Sequence, residues 1–188
     1  MKLNLATSLT LVRIAAIPLV VLCFYSQITY ARPLAGVLFG LAAITDFIDG
    51  YIARNYGQTS RFGAFLDPVA DKLMVAVVLV LLVQSDPDWY VDFIAMIIIG
   101  REITISALRE WMATIGAQGN VAVSWGGKIK TALQMFGIAF MVYKEPLFGI
   151  DIYALGFMLL LAAAGMTLWS MFVYLRAAWP SMRPDEGD

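Results

Sequence analysis

Apolar residues in this chain run in long blocks, and the ionisable residues fall mainly at the edges of those blocks. An α-helix needs about 20 mostly apolar residues to cross a hydrocarbon core, so blocks of this kind read as membrane helices. The cleanest covers residues 152–175, twenty-four positions without a charge. Five more, over residues 9–28, 33–53, 62–83, 91–112 and 128–143, are interrupted by a few ionisable side chains near one end. Arg32-Pro33, Asn55-Tyr56-Gly57-Gln58, Ser85-Asp86-Pro87-Asp88, the glycines Gly116 and Gly119, and Glu145-Pro146 punctuate the blocks as turn chemistry should. The pattern predicts an all-α integral membrane protein, a bundle of about six transmembrane helices forming one domain over residues 1–179. Residues 180–188, polar and containing Pro and Gly, read as a disordered tail. Arg13 interrupts the approach to the first block and no convincing small-residue cleavage site follows, so that block reads as a retained helix and not a signal peptide.

Composition agrees. The chain of 188 residues is 61% hydrophobic, with a mean hydropathy of +0.77, far above the roughly 45 to 50% apolar content of soluble domains. Thirteen basic and fourteen acidic residues leave a formal charge of −1, so no overall field attracts nucleic acid, and that class of partner is set aside. There is no histidine, and Cys23 is the single cysteine. Neither an internal disulfide nor a thiolate metal cluster can be built, and the commonest general base is missing. Chemistry must fall to carboxylates. Lys2, Arg13, Arg54, Arg61, Lys72, Arg109, Lys128, Lys130, Arg176 and Arg183 collect on one side of the predicted bundle, against Arg32 and Lys144 with Asp86, Asp88 and Asp92 on the other. Basic residues are retained inside, which places both termini in the cytoplasm.

Four aspartates stand within the second and third blocks, in Asp46-Phe47-Ile48-Asp49-Gly50-Tyr51-Ile52-Ala53-Arg54 and Gly63-Ala64-Phe65-Leu66-Asp67-Pro68-Val69-Ala70-Asp71. At about 100° per residue Asp46, Asp49, Gly50, Ala53 and Arg54 share one helix face, and Gly63, Asp67 and Asp71 share another. A short turn over residues 55–62 brings the two faces together. Each carboxylate costs roughly 2.5 to 3.5 kcal/mol near a membrane centre, and four of them repel one another, so a cation must sit between them. Oxygen-only ligands suit a hard ion, Mg²⁺ or Mn²⁺, singly or as a bridged pair. The alternatives are a structural network with Arg54, Arg61 and Lys72, or a cation pathway in a transporter. Gly50, Gly63 and Ala53 favour an opening for a ligand, because glycine is costly inside a helix unless something must approach closely. Small residues, a metal site and an arginine fork at Arg54 suit a diphosphate.

The pattern D-x-x-D-G-x-x-A-R, eight residues, then G-x-x-x-D-x-x-x-D resembles the signature of the CDP-alcohol phosphotransferase family at every fixed position: Asp46, Asp49, Gly50, Ala53, Arg54, Gly63, Asp67 and Asp71. Outside it, Leu9-Thr10-Leu11-Val12-Arg13, the run from Arg101 to Trp111 and the run from Val123 to Thr131 are similar to bacterial members that join CDP-diacylglycerol to sn-glycerol 3-phosphate and release CMP. The resemblance implies a six-helix homodimeric enzyme of phospholipid biosynthesis in the bacterial inner membrane, surrounded by membrane lipids, with its active site facing the cytoplasm. It also implies that Asp46, Asp49 and Asp67 bind metal, that Asp71 touches metal and acts as the base, and that Gly50 and Ala53 make room for the nucleotide. Asp46, Asp49, Gly50, Ala53, Arg54, Gly63 and Asp67 together form the implied CDP site. A carboxylate base is reasonable, since the attacking alcohol must lose its proton and no histidine is present.

A glycerol phosphate acceptor needs fixed cations beside that cleft, and Arg101, Arg109, Lys128 and Lys130 are the candidates. The bland reading of each is retention at a span end or contact with anionic lipid. Arg101 stands apart because it interrupts the apolar run Ile97-Ile98-Ile99-Gly100, with Glu102 or Glu110 as counter-charge. Thr7 and Arg13 are placed beside the cleft on an N-terminal segment. Trp89, Trp111, Trp125, Trp169 and Trp179 read as interfacial anchors. Other acceptors within the same family, an inositol phosphate or phosphatidylglycerol, and a cation transporter remain competing readings.

Overall fold

The computed structural model describes residues 5–56, 61–116 and 125–179, with side chains described for residues 8–47, 62, 63, 65–116 and 127–179. Six helices account for nearly all of them: α1 Leu5–Tyr25, α2 Ala31–Tyr56, α3 Arg61–Ser85, α4 Trp89–Thr114, α5 Trp125–Tyr143 and α6 Ile152–Ala178. The expected all-α architecture and the six predicted blocks are found. Among the described residues, two segments are apolar enough by length and composition to cross a membrane, Ser8–Tyr25 in α1 and Ile152–Ala178.

Local chemistry sets the helix ends. The Asp151 carboxylate accepts from the Ala154 amide at 2.9 Å and caps α6. At the far end of α4, Gly116 adopts φ +72 while its amide bonds the Ala113 carbonyl, a left-handed cap that L side chains rarely adopt. After α1, the amide of Ser26 bonds the Cys23 carbonyl and the Ser26 hydroxyl accepts from the Ile28 amide, so the helix closes before the apolar run does.

Helix α5 lies between α2 and α6, α1 rests on α2 and α3, and α4 touches α3 and α6. Small residues allow the closest of these approaches. A Cβ at Gly137 would lie 2.8 Å from the Leu160 amide nitrogen of α6, and one at Gly156 would lie 2.8 Å from the Gly137 carbonyl oxygen. Gly36 meets the Tyr143 backbone in the same way, at 2.6 Å. Backbones that interlock at this range leave no space for a side chain between them. The main core, with Phe39, Val78, Leu82, Ile98, Ile138 and Leu160 fully buried, fills the middle of the bundle. A second cluster of Ile105, Leu108, Met112 and Ala178 joins α4 to α6.

The outer surface is apolar. Leu22, Val80, Met158 and Trp169 are all more than half exposed, which water would penalise and lipid would not. At the bundle end carrying the start of α2 and the end of α3, the buried Asp86 carboxylate pairs with Arg32 and with the Lys144 ammonium, the latter at 2.6 Å. The first turn of α2 and the connections after α3 and α5 are thereby tied together, and the acid is compensated from two sides.

Candidate active site

The acids gather at the opposite end. Asp46 lies in the second half of α2, and Asp67 and Asp71, four apart, sit on one face in the first turns of α3. Pro68 follows Asp67 inside the helix and removes the amide that would bond the Ala64 carbonyl, loosening the turn that carries the acid. Helix α1 packs against both and presents Thr10 and Arg13, three apart, to the same point. Nη1 of Arg13 lies 2.8 Å from Asp46 Oδ1, 2.5 Å from Asp71 Oδ1 and 3.8 Å from Asp67 Oδ1. The Thr10 hydroxyl donates to Asp67 Oδ1 at 2.7 Å.

Burial is uneven. Arg13 is 2% exposed, while the side chains of Asp46, Asp67 and Asp71 remain 27%, 39% and 34% exposed. The guanidinium therefore forms the floor of the cluster and the carboxylates its open rim. A buried arginine is tolerable only because acids surround it, since removing the partners of a buried charge costs about 3 to 5 kcal/mol. Among the described residues no group of three acidic side chains is arranged to hold a metal ion by itself, and these three carboxylates close on the guanidinium. The donor set nonetheless fits a hard cation. It consists of oxygens alone, from two helices, and three of them already converge within 3.8 Å of a single positive atom.

Other expected residues are placed as follows. Asp49, Gly50, Ala53 and Arg54 fall in the last turns of α2, with side chains outside the described residues. Gly63 lies one turn before Asp67 in α3. Of the three bases set against the acids in the structural alternative, Lys72 turns instead to α4 and donates to the Ser106 hydroxyl at 2.6 Å. The side chains of Arg54 and Arg61 lie outside the described residues.

The acceptor candidates divide. Arg101, almost wholly buried, pairs with Glu102, the nearer of its two expected counter-charges, and its Nε has no hydrogen-bond partner. Lys130 of α5 is also buried, and its charged neighbours are Arg101, Glu102 and Arg109. Arg109 donates to the Tyr174 hydroxyl at 3.2 Å and lies 5.4 Å above that ring. Lys128 is exposed at the start of α5. The Arg101–Glu102 pair of α4, with Arg109 on the same helix, thus lies within electrostatic reach of the buried Lys130 of α5, in the half of the bundle that carries the aspartates.

Sequence reasoning placed Arg13 beside the cleft, whereas it stands at the centre. It also gave no role to Thr10 or to the Lys72 to Ser106 contact. A usable signal existed in T-x-x-R within an apolar run, since a cation there must find acids elsewhere in the chain.

A family model described as CDP-alcohol phosphatidyltransferase matches residues 3–174. The chain is 48% identical to the CDP-diacylglycerol--glycerol-3-phosphate 3-phosphatidyltransferase of Yersinia pestis (strain Pestoides F), over 97% of this chain and 98% of that one. It is 48% identical to the protein of that name from Yersinia enterocolitica serotype O:8 / biotype 1B, with the same coverage. A third, from Shigella flexneri serotype 5b, is 47% identical over 95% of this chain and 96% of its own.

Proposed function

The chain belongs to the CDP-alcohol phosphatidyltransferase family, and from that premise we propose that it transfers the phosphatidyl group of CDP-diacylglycerol to sn-glycerol 3-phosphate. The products are phosphatidylglycerol phosphate and CMP. Near-full-length similarity to relatives bearing that activity in their names supports the acceptor. The observation that carries the chemistry is the convergence of Asp46, Asp67 and Asp71 on one cationic point.

In the reaction a hydroxyl of glycerol 3-phosphate attacks the phosphatidyl phosphorus. A P–O bond forms, the bond to the CMP phosphate breaks, and the hydroxyl proton passes to a base. Asp71 is that base, since its carboxylate is a third exposed at the rim and no histidine competes with it. Asp46, Asp49, Asp67 and Asp71 would hold Mg²⁺ or Mn²⁺, which would neutralise the diphosphate oxygens and the charge left on CMP. Gly50, Ala53, Arg54 and Gly63 bound the nucleotide with Asp46, Asp49 and Asp67. Arg101, Lys130 and Arg109, with Lys128 at the mouth, receive the acceptor phosphate, because their positive charges exceed that of Glu102 and a dianion restores balance.

The six helices all span the membrane in this reading, with residues 1–179 as one domain. The apolar exterior supports this assignment. The excess of basic residues at the aspartate end supports a cytoplasmic active site with both termini on that side, in a bacterial inner membrane. The enzyme works as a homodimer.

Purified full-length protein supplied with CDP-diacylglycerol and Mg²⁺ should release CMP when given glycerol 3-phosphate, and chelation of the metal should stop it. Release with inositol phosphate or phosphatidylglycerol, and none with glycerol 3-phosphate, overturns the acceptor assignment. Cation flux into liposomes without nucleotide consumption overturns the enzyme.

A further inference from the structure

Arg13 reaches the same carboxylate oxygens that the reading above gives to a divalent cation, and that coincidence gives it a role the transfer reaction alone does not assign. One nitrogen of its guanidinium reaches Asp46 and Asp71 at 2.8 and 2.5 Å and approaches Asp67 at 3.8 Å. The side chain is 2% exposed and enters from α1, whereas the acids belong to α2 and α3. Thr10, one turn earlier on α1, holds the remaining acid, Asp67, at 2.7 Å. One helix therefore supplies both the positive charge and the hydroxyl that keep carboxylates of two other helices together. Without a cation those acids would repel each other and pull α2 and α3 apart. A guanidinium and a divalent ion cannot share the point, since each is repelled by the other and both need the same oxygens.

We propose that Arg13 is an internal counter-cation that holds the aspartates together until the metal arrives and competes with it for them. The inference rests on the reading above that these carboxylates bind a divalent ion. It has two consequences. The metal-free protein keeps a formed site, so its fold does not depend on metal. Metal affinity is held below what the carboxylates alone would give, because binding must first displace the guanidinium. Arg13 is thus a positioning residue, acting through the aspartates.

The test is direct binding of Mn²⁺ to the purified full-length protein, with free ion followed by electron paramagnetic resonance and thermal midpoints read in EDTA and in Mn²⁺. Arg13→Gln should bind Mn²⁺ at least about tenfold more tightly than wild type. Its midpoint should fall in EDTA and recover in Mn²⁺, while the wild-type midpoint shifts little. A merely structural role predicts the opposite, weaker Mn²⁺ binding with a midpoint that Mn²⁺ does not restore, and that result overturns the proposal. Arg13→Lys keeps the charge but offers a single donor point in place of the planar fork, so its affinity should fall between the other two. An affinity at or below wild type in that variant overturns the proposal whether or not the glutamine variant folds. A wild-type protein that binds no Mn²⁺ sinks the metal reading itself. A wild type that binds Mn²⁺, with neither variant binding more tightly, sinks the competition alone.

Discussion

A charge inside an apolar run is expensive, and that single fact makes part of the site legible residue by residue. Asp46, Asp49, Asp67 and Asp71 announce themselves because they interrupt blocks otherwise fit for lipid. Their cation was harder to find. The contacts from α1 to α3 span 57 and 58 positions, and no spacing rule connects Thr10 with Asp67 or Arg13 with Asp71. The same holds for Lys72, whose partner Ser106 lies 34 residues away on α4. Asp71 is the residue whose role is most sharply testable. In Asp71→Asn the carboxamide cannot take the proton of the attacking hydroxyl, so kcat should fall by about 10² to 10⁴. Asp46, Asp49 and Asp67 remain, so CDP binding measured by calorimetry should change little. Equal losses in kcat and in CDP affinity would mean that Asp71 serves binding and not proton transfer.

Helices were easier to foresee than their ends. Hydropathy marks where lipid begins, whereas a helix continues as long as its backbone hydrogen bonds do. Thus α1 starts at Leu5, ahead of the apolar run, and α2 continues through Arg54 to Tyr56, and α6 through Arg176 to Ala178. Packing between elements was only partly visible. Gly137 and Gly156 show nothing in sequence to separate them from Gly165, yet the first two lie where backbones meet, and a Cβ at the third would find no atom within 4 Å. Identical substitutions should therefore act with opposite sign. Gly137→Ala drives a methyl into the Leu160 backbone and should destabilise by about 1 to 3 kcal/mol. Gly165→Ala meets nothing and should stabilise by up to about 1 kcal/mol through helix propensity. Thermal midpoints of the two variants in one detergent check this, and similar shifts in both would show that α5 and α6 are not held by that approach.

Across the whole molecule the two ends of the bundle do different work. One end is tied by Asp86 between Arg32 and Lys144, a compensated and closed arrangement. The other gathers acids around Arg13 and holds the Arg101–Glu102 pair, leaving carboxylate rims exposed. Between them lies a mainly apolar core, and outside it an apolar surface that lipid would cover. An end closed by ion pairs and an end with exposed carboxylates suit an enzyme that takes a lipid from the bilayer and a charged acceptor from water on one side. The claim on which this rests is that the aspartates of α2 and α3 hold a divalent ion beneath a nucleotide diphosphate. The most direct measurement is an anomalous-scattering map of the full chain crystallised with Mn²⁺ and CDP. The account predicts manganese at ligand distance from Asp46, Asp49, Asp67 and Asp71, with the diphosphate above it and Arg13 withdrawn from their oxygens. Manganese and nucleotide bound elsewhere, with Arg13 still held among the three carboxylates, would contradict it.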